Sequence, residues 1–372
     1  MCFFRCELDN FRFCVTSLTN FYLCRFSASP ALWDPAQWRD PGKRDRTTGL
    51  LTAYLVVLSS MNETILITGV AGFIGSNLAD RLLREDRYRV IGVDNLSYGV
   101  KEQIPEGVEF HKLDIRSKEI YPIFKDVDYV FHLAAKNCIS DCQADPVETA
   151  DINVVGTVNV FEAARRANIR KLVYAESSAL YEGSQKLPTP ESEVKPQSFY
   201  AVSKMSSMLF AEAYARHHRL QTTALRYFCV YGLRQDYRRA IPPVFSAFII
   251  KLLKGEQPMI YGSGEKRRDF IHVDDVNEFH LMCICDDRTT GKVFNLGSGV
   301  NYSINEIYEV IARLLNSTIK PIFKPDLPGE AIVNLADISE AKNIGWSPKT
   351  GLEEGLRSSI DFIREEMRKG RV

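Results

Sequence analysis

The chain reads as an α/β protein: a doubly wound parallel sheet with a smaller C-terminal lobe. Three observations predict this. From Met61 onward, short apolar runs alternate with amphipathic stretches; a glycine-rich turn follows directly on the first run; and beyond Tyr231 the alternation loosens. Adjacent parallel strands need a crossover, and a helix is the usual one, so alternating strand and helix patterns imply βαβ units with both sheet faces covered.

Strands are expected at residues 64–68, 89–93, 108–111, 129–133, 171–175 and 222–227, where β-branched and aromatic side chains cluster. Helical patterns lie between them, including 77–84, 146–167 and 198–218. Past Tyr231, Pro242 and Pro243 open a helix, Tyr261-Gly262-Ser263-Gly264 makes a turn, and residues 293–296 read as a strand. Helices are expected again at 304–315 and 352–368.

Composition excludes several function classes. The 372 residues carry 47 Lys and Arg against 47 Asp and Glu, with formal net charge zero and no basic block. A nucleic-acid partner is therefore not expected. The longest apolar run, 50–58, is about half of what a bilayer crossing needs, so a soluble cytoplasmic protein with no membrane partner is expected. Of nine cysteines four lie in the first 60 residues, and none has zinc-site spacing. They read as thiols in a reducing compartment. No metal is expected: His217 and His218 are neighbours on a helix and point about 100° apart, and His132 reads as packing at a buried strand end. Residues 1–60 show no sustained period, and we expect Met61 to be the working start, preceded by an upstream extension or a disordered arm.

The first strand runs into Thr68-Gly69-Val70-Ala71-Gly72-Phe73-Ile74-Gly75 and then a helix. Gly69 permits a tight turn, Gly72 lets backbone N–H groups approach a pyrophosphate, and Gly75 lets helix and strand pack closely. Such a motif alone can be an ordinary strand-to-helix turn; its position after the first strand is what points to a Rossmann dinucleotide site. Asp94 ends the second strand 19 residues after Gly75, where a carboxylate accepts from a ribose 2′-OH and repels a 2′-phosphate, favouring NAD over NADP. Asp114-Ile115 and Leu133-Ala134-Ala135 follow the third and fourth strands, at the sheet end where open α/β sheets bind ligands.

Tyr200 and Lys204 stand four apart at the start of a long helix and share a face. A phenol is a poor base at neutral pH; a nearby ammonium and an oxidised nicotinamide both favour its phenolate. Ser177 and Ser178, at the end of the fifth strand, can bond the substrate oxygen that the tyrosine deprotonates. The alternative for the serines is turn capping, and for the Tyr/Lys pair an ordinary helix surface.

These motifs, with Asn95-Leu96, Asn153-Val154-Val155-Gly156-Thr157, Tyr181, Arg226-Tyr227-Phe228 and residues 268–273, resemble the extended short-chain dehydrogenase/reductase family. The chain is most similar there to NAD-dependent nucleotide-sugar epimerases of the UDP-glucose (or UDP-N-acetylglucosamine) 4-epimerase type, from about Asn62 to Arg368. After the 1–60 extension, we expect a NAD-binding Rossmann domain over 61–230 and a mainly substrate-binding lobe over 231–372. The resemblance implies that Gly69, Gly72, Phe73, Ile74 and Gly75 hold the pyrophosphate region, Asp94 and Asn95 the ribose, and Asp114 and Ile115 the adenine. Leu133, Ala134 and Ala135 would line the cofactor cleft, Asn153 support it, and Phe228 lie near the nicotinamide. Tyr200 becomes the acid/base, Lys204 its partner and Ser177 the ligand of the substrate hydroxyl, with Ser178 beside it. Arg268 resembles the diphosphate-binding arginine.

The departures from the family pattern fall on the substrate side. Cys229 stands where an Asn usually touches the diphosphate, Leu233 replaces a common Pro, Glu182 replaces the Gly of a Tyr-Gly turn, and Leu327 replaces a second clamping Arg ahead of Glu330. Lys324 could substitute as a point charge. Asn334 falls where glucose-restricted epimerases carry a bulky Tyr, which suggests room for an N-acetyl group.

The implied activity is inversion of C4 of a nucleoside-diphospho-hexose through a transient 4-keto sugar. Sister reactions remain open: dehydratase, decarboxylase, reductase or 3,5-epimerase, or a non-catalytic dinucleotide binder. Ser178 and Ala179 stand where dehydratases carry Asp-Glu. A homodimer, paired through helices 146–167 and 198–218, is expected by resemblance.

Overall fold

The computed structural model describes residues 63–238, 242–326 and 331–372. Expectations for residues 1–60, Leu327 and Glu330 lie outside the described residues.

Seven parallel strands form the main sheet in the order β10-β6-β5-β4-β1-β2-β3. They are β1 (Glu63–Thr68), β2 (Tyr88–Asp94), β3 (Glu109–Lys112), β4 (Tyr129–His132), β5 (Lys171–Ser177), β6 (Thr222–Tyr227) and β10 (Val293–Leu296). Strand order reverses between β1 and β4, and at such a switch point the connections leave in opposite directions, above the C-terminal ends of the two strands, where ligands bind such sheets. Side-chain alternation along β1 divides the core. Ile65 and Ile67 pack with helices α1 (Phe73–Leu83) and α7 (Val273–Cys285), whereas Leu66 packs on the other face with α4 (Thr157–Ala167) and α5 (Phe199–His218). This is the doubly wound architecture expected.

Between β4 and α4 lie two short helices, α2 (Ile139–Ala144) and α3 (Pro146–Ala150), and one π-helical turn, Asp151–Gly156. The helix expected over 146–167 therefore forms with a local widening at Asn153. Pro243 caps α6 (Val244–Leu253) as expected.

The chain beyond residue 230 supplies β10 and α7 to the main sheet layer as well as a separate lobe. The lobe packs α6, α8 (Ile304–Leu314) and α10 (Leu352–Arg368) against a small sheet, β11-β9-β7. Its strands are β7 (Cys229–Tyr231), β9 (Arg267–His272) and β11 (Asn301–Ser303), while β8 (Met259–Tyr261) pairs with β12 (Ile322–Lys324). Of these strands β7, β8, β11 and β12 have three residues each, too few for a period to stand out, and the six residues of β9 open on the charged run Arg267-Arg268-Asp269. The short helix α9 (Ser339–Asn343) lies near β10. Among the described residues no helix is long and apolar enough to cross a membrane, and none of the five described cysteines is in a disulfide.

Candidate active site

The glycine turn closes on itself so tightly that side chains are excluded. Gly69 adopts φ +76°, and a Cβ on Gly75 would stand 2.2 Å from the Gly69 carbonyl oxygen. Gly72, in extended conformation, opens α1 without a side-chain cap. The floor of the crevice is thus bare backbone at a helix N-terminus, suited to an anionic diphosphate.

A cavity of about 440 Å³ begins there. It is lined by the glycine turn with Phe73 and Ile74, by Asp94 and Asn95, by Asp114 and Ile115, and by Leu133, Ala134 and Ala135. Tyr200, Lys204, Ser177, Ser178, Phe228 and Cys229 line its far end. Eighteen expected site residues, drawn from six strand ends and two helices, so face one space.

Asp94 accepts from the Ala71 N–H (3.1 Å) and the Leu96 N–H (2.8 Å). Burial raises its pKa, and these N–H groups oppose the rise. Each oxygen keeps a lone pair for a ribose hydroxyl. Asn95 is more committed: its amide donates to Asp114 and accepts from Ser97, so it shapes the loop as well as facing the cavity. Asp114 is gripped by the Arg116 guanidinium, which with Asn95 holds its carboxyl well below the usual range.

Asn153 does not line the cavity. Its side chain accepts from the Lys136 N–H (2.8 Å) and donates to the Lys136 carbonyl (2.9 Å) and to Ser203 Oγ (3.0 Å). The π-turn thus clamps the chain leaving β4 against α5, the helix that carries Tyr200 and Lys204. His132 is a packing residue as expected, bonded on both ring nitrogens to Thr68 and Thr157 and pushed down to about 3 by burial.

Ser198 caps α5 by accepting from the Ala201 N–H, placing Tyr200 in the first turn, buried at the cavity wall. Lys204 is buried one turn later and donates from Nζ to the Ala175 carbonyl at 3.0 Å. Burial pushes it down to about 8, and the Glu176 charge pulls it up. Ser177 also serves as a turn cap, accepting from the Ala179 N–H at 3.2 Å. Ser178 Oγ accepts from Asn334 Nδ2 at 3.3 Å.

A second cavity, of about 640 Å³, adjoins the first and shares Cys229, Val230, Gln235 and Pro243 with it. Arg268 lines this second space, together with Lys266 and Tyr261. The cation beside Arg268 is Lys266, ion-paired with Asp326; Lys324 does not line either cavity, because it sits exposed on the short β12. Asn334 is held by its side-chain oxygen on the Asp269 N–H (3.1 Å) while reaching Ser178. Sequence reasoning missed Tyr98, Lys136, Gln235 and Lys266 as lining residues. Tyr98 and Lys136 follow strand ends, a signal available beforehand; Gln235 and Lys266 arrive only through the fold of the lobe.

Residues 65–297 match the NAD dependent epimerase/dehydratase family. The chain belongs to that family. A putative UDP-glucose 4-epimerase of Methanocaldococcus jannaschii is 36% identical over 308 residues, covering 82% of this chain and 99% of the relative. The crystal structure of the UDP-glucose 4-epimerase of Thermotoga maritima with UDP-glucose superposes with a TM-score of 0.79 at 33% identity, covering 82% of this chain and 99% of that one. A UDP-glucuronic acid decarboxylase of Xenopus tropicalis is 30% identical over 313 residues, covering 82% of this chain and 73% of the relative. The protein is therefore an enzyme of an NAD-dependent family that acts on nucleotide sugars. The cradle at Gly69 to Gly75, which a Cβ would fill, and the carboxylate of Asp94 suit the family cofactor, NAD.

Proposed function

We propose that the chain is a UDP-sugar 4-epimerase that inverts C4 of a UDP-hexose, with glucose, galactose or their N-acetyl forms as the sugar. One observation carries the reading: Tyr200, Lys204 and the serine pair line the same cavity as the phosphate cradle, and that cavity shares Cys229, Val230, Gln235 and Pro243 with a second one lined by Arg268 and Lys266. Bound NAD supplies reversible hydride exchange at C4.

The chain's own residues do the rest. Gly69, Gly72 and Gly75 hold the cofactor diphosphate and Asp94 its ribose. Tyr200 Oη takes the proton of the 4-hydroxyl and later returns it, and Ser177 hydrogen-bonds that oxygen throughout. Lys204, fixed to Ala175, places an ammonium one helical turn from Tyr200 and lowers the cost of the phenolate. Arg268 and Lys266 grip the substrate diphosphate remote from the reacting carbon, so the 4-keto sugar can turn over without leaving. Proton and hydride both return, and no net redox change results.

The test is to incubate purified protein with UDP-glucose, UDP-GlcNAc, UDP-glucuronate and GDP-mannose in D₂O and follow the products by NMR. Expected is a C4 epimer with no deuterium at C4, and a kcat lowered about 10²- to 10⁴-fold in Tyr200→Phe. Release of CO₂ from UDP-glucuronate, or a 4-keto-6-deoxy product, would overturn the reading in favour of a sister reaction.

A homodimer completes the proposal. Phe199, Val202 and Leu209 are exposed on one face of α5, and Val147 and Val155 on the adjoining segment, apolar surface of the kind a two-fold helix pairing covers. Light scattering should give twice the chain mass, and Val202→Glu with Leu209→Glu should give the monomer.

A further inference from the structure

The turn after Ser177 and the helix that carries Tyr200 come from separate stretches of chain, yet they are fastened to each other. Lys195 N–H donates to the Leu180 carbonyl at 2.7 Å, and Gly183 N–H to the Lys195 carbonyl at 3.0 Å. The last fastening is a side chain. Glu182 Oε2 accepts from the backbone N–H groups of Gln197 (3.1 Å) and Ser198 (2.7 Å), and Oε1 accepts from Ser198 Oγ (2.8 Å).

Ser198 is the cap of α5: its hydroxyl oxygen accepts from the Ala201 N–H at 3.1 Å. The hydroxyl's own O–H points away from the helix and donates to Glu182 Oε1. A hydroxyl that donates to a carboxylate while accepting from the helix is held in one rotamer, and charge-assisted bonds of this kind are the stronger sort. The carboxylate also sits at the positive end of the helix dipole. Glu182 is half-buried, and neither its carboxylate nor Ser198 lines either cavity.

We propose that Glu182 is a positioning residue for the epimerase reaction, acting through Ser198 to hold the first turn of α5, and with it Tyr200, in register with Ser177. The proposal rests on the reaction assigned above. It explains a residue that departs from the Tyr-Gly turn of the family pattern: at this position the chain uses a three-bond anchor where a glycine makes no side-chain bond. Misplacement of a proton-transfer group by a fraction of an ångström lowers turnover without loosening a substrate gripped elsewhere.

The experiment compares wild type, Glu182→Ala and Glu182→Gln as NAD-loaded enzymes, reading kinetics on a UDP-hexose the wild type converts, bound NAD, melting temperature and backbone amide exchange. In Glu182→Ala, kcat should fall about tenfold with KM changed by less than about twofold, and exchange of residues 197–202 should rise about fivefold. Bound NAD should stay at the wild-type level. Glu182→Gln keeps one acceptor oxygen for the Ser198 N–H and should recover most of kcat. Wild-type kcat in Glu182→Ala overturns the proposal, as does a loss of kcat matched by equal losses of NAD and melting temperature. If the wild type converts no UDP-hexose, the reaction assignment fails, and the exchange comparison alone decides whether Glu182 holds the turn that carries Tyr200.

Discussion

Lys204 Nζ donates to the Ala175 carbonyl across 3.0 Å, joining α5 to β5 two residues before Ser177. A buried ammonium is stable there only while it keeps that acceptor and the nearby Glu176 charge. The bond sets where the lysine stands, while burial and the Glu176 charge set when it is charged.

Burial pushes Lys204 from 10.5 down to about 8, so the ammonium is present below that pH and lost as pH rises through it. The pH profile of kcat should fall on the alkaline side with a midpoint near 8. Lys204→Met should remove that limb and lower kcat about a hundredfold. The unfolded chain holds this proton up to about 10.5, so the group's contribution to stability rises with pH between about 8 and 10.5.

Gly75→Ala puts a methyl group 2.2 Å from the Gly69 carbonyl oxygen, which has nowhere to move without breaking the turn. Expected is a loss of about 1–3 kcal/mol in denaturant unfolding and purification with little bound NAD, read from the absorbance of the released cofactor. A variant that retains full NAD content would show that the cradle is looser than these contacts require.

Asn334 touches Ser178 Oγ and is anchored on Asp269, whose carboxylate in turn receives the N–H groups of Ser298, Gly299 and Ala336. Asn334→Tyr should fill the space beside the serine pair. Expected is a fall of tenfold or more, on the order of what a filled pocket costs, in kcat/KM for UDP-GlcNAc, with UDP-glucose changed by less than about threefold. Equal losses on both substrates would remove Asn334 as a specificity residue.

Glu176 and Arg226 form a fully buried ion pair of 2.6 Å between β5 and β6, where they are register partners. Arg226 also donates to Tyr181 Oη and to the Glu191 carbonyl. Glu176→Gln leaves the guanidinium without its counter-charge and should cost about 3–5 kcal/mol in urea unfolding. Glu176→Leu combined with Arg226→Met should cost less than either change alone, because an apolar pair strands no charge.

By itself the sequence determined what is encoded over short spans. The glycine turn, Asp94 at a strand end, the pair Tyr200 and Lys204, and the strands 222–227 and 293–296 were all legible, because a local period or an i to i+4 spacing carries its own geometry. The tertiary structure decided what depends on partners far along the chain. It returned residues 293–296 to the main sheet beside β6, chose the backbone of Lys136 as the place where Asn153 supports the cleft, and left Lys324 outside the cavity that Arg268 lines. It also turned Glu182 from a departure at a turn into an anchor for Ser198. Contacts of this second kind join residues from 15 to more than 150 positions apart, and no periodicity in a single chain records which distant side chain a buried donor will meet.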